Sequence, residues 1–224
     1  LQMIFNFSES EMGMIISSLD FYMRMYIGQY REILFDLRWY RDCSYLDDLE
    51  DELRVQFIQI RNILLPDIAG YGWSGSYGIF NPDVDYRAGI AYDMMQVFRN
   101  KLAYFKHPEG GITVDFNPLM HCENDPYDFP DVECSNKNGK VYVEIDINNE
   151  HLEIISNALK INNAKYNCSF RELFSYYTKD EAVLRVADEI TVVLKDIPED
   201  KKVKYNNQEI DLLNNIRKQY DTIV

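Results

Sequence analysis

Apolar residues recurring at helical spacing from Met12 to Leu37 constrain this chain more than any other feature. Met12, Ile15, Ile16, Leu19, Tyr22, Met23, Tyr26, Tyr30, Ile33, Leu34 and Leu37 share one stripe, which predicts a helix from Ser8 to about Tyr40. Ser8 with Glu11 three residues later supplies a capping box at its start. Gly28 lies on the stripe, where it costs about 1 kcal/mol relative to alanine, so it marks a bend or a close backbone approach. Phe21, Met25, Ile27 and Phe35 lie off the main line, and a helix apolar on two sides needs cover on both. The Tyr22, Tyr26 and Tyr30 ridge is suited to packing against a symmetric copy, so a homodimer is expected.

The rest of the chain alternates helix signals with a few strands. Residues 4–7 read as a short strand. A second helix over 47–64 opens on acids that complement the helix dipole and stops at Pro66. A third runs from Tyr86 to Phe105. Ile112 to Phe116 is an expected strand. Asn138-Gly139 is a strong hairpin signal, and Val141, Val143, Ile145 and Ile147 alternate with polar residues after it. Helices follow from Asn149, from the capping boxes Ser169/Glu172 and Thr178/Glu181, and over 207–221. The pattern predicts an α+β fold: one helix-rich domain over 1–224 with a small, mainly antiparallel sheet. Residues 107–148 form an acidic, β-rich insertion in it.

A shift of 140 residues lays Phe5-Asn6-Phe7 on Ile145-Asp146-Ile147, Leu19 on Leu159 and Tyr26 on Tyr166. Arg31-Glu32-Ile33 then falls on Arg171-Glu172-Leu173. Two strand–helix repeats around a shared sheet would produce this echo, as would chance similarity between amphipathic segments.

Composition narrows the function. With 23 Lys and Arg against 37 Asp and Glu, the net charge of −14 argues against direct nucleic-acid binding and against docking on anionic lipid. No apolar run is long enough for a membrane span, and no signal-peptide pattern opens the chain. Four widely spaced cysteines fit reduced thiols, so a cytoplasmic setting is expected. Seventeen tyrosines favour either a Tyr-rich core rim or an interface.

Several constellations carry possible chemistry. Gly70-Tyr71-Gly72-Trp73-Ser74-Gly75 matches G-x-G-x-x-G but lacks the strand before it and the helix after it. A small-ligand reading would use Gly72, Trp73 and Gly75 as a loop closing over a nucleotide. His121, Cys122 and Cys134 could bind zinc with Cys43 or His107 as a fourth ligand, although the spacing lacks a paired short motif. Asp115, Glu144 and Asp146 would converge if their strands were neighbours, as in a metal-dependent hydrolase. From His107 to Glu153, eleven acids are opposed by Lys137 and Lys140 alone. Within that stretch Asp125, Tyr127, Asp128, Phe129, Asp131 and Glu133 read as an interaction surface for a basic partner.

Four segments carry a resemblance: Ser17–Tyr30, Ala91–Ala103, Pro108-Glu109-Gly110-Gly111 and Val114-Asp115-Phe116. They resemble small uncharacterised proteins of bacteriophages and prophages, over about the first half of the chain. The resemblance implies a phage setting and supplies no catalytic residues. The expectation is therefore a non-enzymatic accessory protein, needing no cofactor, that binds and inhibits a basic or nucleic-acid-handling host protein, such as a defence component. A carboxylate-based hydrolase and a nucleotide-binding protein are the alternatives.

Overall fold

The computed structural model describes residues 2–40, 43–123, 125–195 and 207–223, the side chains of 37–48 and 195 excepted. Its described residues form eight α-helices and one three-stranded antiparallel sheet, the α+β class expected. The chain divides into two compact units. One comprises residues 1–23, 79–159 and 208–224, and the other 24–78 and 160–207.

The sheet belongs to the first unit. Strands β1 (Met3–Ser8), β2 (Asp131–Lys137) and β3 (Lys140–Ile147) are ordered β1-β3-β2, both pairs antiparallel. Alternation does the folding work: Met3, Phe5, Phe7, Val132, Val143, Ile145 and Ile147 are buried, and their neighbours face the other way. Asn138 (φ 55°) and Gly139 (φ 75°) make the two-residue turn between β2 and β3, the left-handed pair a tight hairpin requires. Ile112 to Phe116 is not a strand. Val114–Phe116 is one turn of 3-10 helix, and Ile112 stands fully in water. Without an alternating partner strand, this apolar run has nothing to pair with. The β content of 107–148 is therefore confined to the hairpin.

Helix α1 spans Glu9–Tyr26 and begins as expected, with the Ser8 backbone N–H donating to Glu11 Oε2 at 2.8 Å. It does not continue to Tyr40. The chain breaks at Gly28 (φ 84°) and resumes as α2 (Arg31–Tyr40). The remaining helices are α3 (Cys43–Leu64), α4 (Tyr86–Lys106), α5 (Asn149–Tyr166), α6 (Phe170–Ser175), α7 (Glu181–Lys195) and α8 (Gln208–Ile223). Ser169 stands at the start of α6 without a side-chain cap. At α7 it is Asp180, rather than Thr178, that accepts from the first turn, at Ala182 N (2.8 Å).

The 140-residue echo is present as structure. Phe5 pairs with Ile145 across β1 and β3, and each strand leads into an 18-residue helix. Both helices end in the same motif. Gln29 N donates to Arg24 O (2.9 Å) and Gly28 N to Met25 O (3.2 Å). Ser169 N donates to Ala164 O (2.9 Å) and Cys168 N to Lys165 O (3.1 Å). This is the double hydrogen bond of a Schellman cap, with Gly28 and Cys168 as its left-handed residues. In the second unit α2 precedes α3 as α6 precedes α7, and Phe57 of α3 packs edge-on against Phe170 of α6 at 5.7 Å. Glycine is needed at the first cap for a second reason: a Cβ on Gly28 would lie 2.7 Å from Leu65 Cδ1. Gly28→Ala is therefore expected to lower stability by about 2 kcal/mol or more, read as a fall in the denaturant midpoint at unchanged m-value.

The helical face offered for self-association is covered within one chain. Phe21, Tyr22, Met25, Ile27 and Tyr30 are all buried, and Tyr26 packs edge-on against Tyr177 with ring centres 4.8 Å apart. Phe35 alone of the off-line residues stays in water. Among the described residues of this face, the expected homodimer is left with Phe35 as its exposed apolar contact.

Candidate functional site

Helix α4 organises the irregular segment that follows it. Asp93, Gln96, Asn100 and Tyr104 recur at three- and four-residue spacing on one face, and each takes a backbone group of residues 115–122. Gln96 clamps Met120 twice, donating to its carbonyl at 2.7 Å and accepting from its N–H at 3.0 Å. Asn100 donates to Asp115 O at 2.7 Å, and Tyr104 Oη to Phe116 O at 3.2 Å. Asp93 accepts from Cys122 N, 3.1 Å from its Oδ2, and pairs with His121 Nδ1. These polar side chains replace the ladder that a strand would have supplied.

At the end of this seam three titratable groups meet. Asp93 is 1% exposed and Asp125 is 8% exposed, while the His121 side chain is 43% exposed. One potential ligand atom from each lies within 4.8 Å of the others. Asp125 accepts from Tyr127 N at 2.8 Å, and Phe129 sets its ring edge against His121 at 5.2 Å. Burial raises the Asp93 carboxyl, partly offset by His121. Burial, with the nearby Asp93 carboxylate, pushes Asp125 up to about 7. A raised carboxyl favours the fold when protonated, so this stabilisation is lost as pH rises from the unfolded value through neutrality.

The expected site residues fall in different places. His121 joins Asp93 and Asp125 rather than Cys122 and Cys134. Cys122 is buried beneath Gly89, and burial with the two carboxylates drives its thiol up to about 12, so it is a poor thiolate ligand. Cys134 stands opposite Val143 in the sheet. His107 pairs with Glu109 at 3.9 Å, and the side chain of Cys43 lies outside the described residues. Asp115 sits on the 3-10 turn, not on a strand beside Glu144 and Asp146, and among the described residues these three do not converge as ligands. Its carboxylate accepts from Thr113 Oγ1 at 3.1 Å and pairs with Arg99 Nε at 3.8 Å. Asp93 was missed because a lone acid in an apolar helix reads as ordinary; the signal was its spacing from Gln96 and Asn100.

In the second unit the Gly72–Gly75 loop has the wrong polarity for phosphate. A phosphate cradle points backbone N–H groups inward. Here carbonyls converge on a buried cation: Arg61 donates to Tyr71 O (2.8 Å), Gly72 O (2.9 Å) and Gly75 O (3.0 Å). Trp73 packs toward Phe57 with ring centres 6.5 Å apart. Tyr77 N also bonds Ile27 O at 2.9 Å. The loop is a cap on Arg61.

The acidic stretch resolves into two parts. Asp125, Tyr127 and Phe129 face inward: Tyr127 donates to Glu150 Oε2 (2.7 Å) and stacks edge-on to buried His151. Asp128, Asp131 and Glu133 are exposed. On the outer face of the sheet Asp131 lies opposite Asp146, and Glu133 opposite Glu144. Ile4, 51% exposed, and Asn6 complete this face from β1. Asp146 keeps one shielded carboxylate oxygen with no hydrogen-bond partner. The far edge of β1 is closed by Gln219 of α8, whose side-chain amide exchanges two hydrogen bonds with the Asn6 backbone (2.8 and 2.9 Å).

Among the described residues no helix is long and apolar enough to cross a membrane. Comparison with protein-family models, with curated proteins and with solved structures finds no match.

Proposed function

We propose that this chain is a non-enzymatic accessory protein that docks the acidic outer face of its sheet on a basic host protein and inhibits it. The observation that carries this reading is the pair of directly opposed carboxylates, Asp131/Asp146 and Glu133/Glu144. Like charges opposite each other in a sheet are destabilising, so this arrangement costs stability and returns nothing to the fold. A basic partner would offset the repulsion between these opposed pairs. Exposed Ile4, beside Asp146 on the edge strand β1, gives the patch an apolar margin. The resemblance to phage and prophage proteins supports a host protein as that partner, a defence component first.

Glu133→Lys separates function from fold. It converts one repulsive pair into an attractive one, so stability is expected to rise by about 0.5 kcal/mol. Retention of basic host proteins on the immobilised chain at low salt is expected to fall. A variant that is less stable, or that retains the same proteins as the parent, would remove the basis for this reading.

A further inference from the structure

We propose that Asp93, His121 and Asp125 form a binding site for a first-row divalent cation, zinc by preference, seated where α4 meets the segment 117–130. The site is separate from the outer face of the sheet and does not depend on the docking reading. One nitrogen and two carboxylate oxygens are available from these residues, all within 4.8 Å of one another. Metal–ligand bonds of about 2.0–2.2 Å hold donor atoms roughly 3–4 Å apart, so Asp125 needs a small inward movement and the hydrogen-bonded Asp93–His121 pair must part slightly to admit the ion. The ion would take the place of the proton between Asp93 and His121 Nδ1 and bring Asp125 onto its other side.

Charge and burial favour the same occupant. Two nearly buried carboxyl groups share one neighbouring imidazole, and protonation otherwise meets the charge that the imidazole does not. A dication balances both. His121 forms the outer wall, and its 43% side-chain exposure leaves an entry route and an open position for water. The donors are held from behind. Cys122 N fixes Asp93, Tyr127 N fixes Asp125, and the double clamp of Gln96 on Met120 fixes the backbone next to His121. Imidazole nitrogen selects for zinc and its transition-metal neighbours over magnesium and calcium, which prefer all-oxygen shells.

The test uses the full chain stripped with EDTA and titrated with zinc chloride, manganese chloride and calcium chloride in turn. Binding is followed by calorimetry, by metal content after dialysis, and by the thermal midpoint. One zinc per chain is expected, with a raised midpoint and weaker manganese binding. His121→Ala removes a side chain that is 43% exposed, and Asp125→Asn keeps the acceptor for Tyr127 N; each is expected to weaken zinc on the order of 100-fold or more. No uptake by the parent chain overturns the proposal. So does uptake that survives both variants, which would place the metal elsewhere, and so does calcium binding as tight as zinc.

Discussion

Arg61→Met is expected to lower the stability of the second unit by about 3–5 kcal/mol, because it strips a buried cation from three carbonyls, of which only Gly72 O has another described donor, the Gly75 N–H at 2.8 Å. Arg61 is 1% exposed, so water cannot take the place of its guanidinium without opening the loop. Gly75 is already tight, since a Cβ there would lie 2.5 Å from Tyr71 Cβ, which shows how closely the loop wraps its own chain. Arg61→Lys should recover only part of the loss, because one ammonium cannot reproduce a planar fork aimed at several acceptors. Hydrogen exchange over residues 70–78 and a red shift of Trp73 emission would report the opening. An unchanged denaturation midpoint would show that the carbonyls find other donors and that the loop stands without Arg61.

Asp93→Ala is expected to cost about 2–4 kcal/mol in the first unit. It leaves the buried Cys122 N–H without an acceptor and releases His121 from its anchor. Asp93→Asn keeps an acceptor for Cys122 N and removes a charge facing Asp125, so its loss should be much smaller. Both substitutions are expected to raise hydrogen exchange in residues 117–127, the alanine variant far more. Equal stability of the two variants would mean that the charge at Asp93, rather than its hydrogen bonds, holds the segment.

What could be read from sequence follows from where the physics is local. The Ser8/Glu11 cap, the Asn138-Gly139 hairpin, the alternation along β3 and the extent of α4 are each decided within a few residues. The 140-residue echo was legible because apolar phase repeats in both copies, though the matched caps at Gly28 and Cys168 were not, since Cys168 carries no signal for a left-handed turn. The Val114 region misled because an apolar run looks the same whether a partner strand exists or α4 side chains hold it as an irregular segment. The acidic stretch could be counted but not sorted. Tertiary structure alone separates exposed Glu133, set opposite Glu144 by the strand register, from Asp125, buried beside Asp93 of α4. Arg61 was silent for the same reason, because its acceptors are backbone carbonyls that any residue supplies.

Two features of this chain are kept against local stability, and they differ in kind. The Asp93/Asp125 pair is buried and can be satisfied by one ion. The Asp131/Asp146 and Glu133/Glu144 pairs face outward, and the docking account sets them against a larger basic surface. Electrostatic docking has a signature in rate, since steering between opposite charges accelerates encounter and fades with salt. The most direct measurement is the association rate of a captured basic host protein with the parent chain and with Glu133→Lys, between about 50 and 300 mM salt. The docking account expects a steep fall in rate with salt for the parent and a slower, flatter profile for the variant. Salt-independent association, or identical profiles for the two chains, would contradict it.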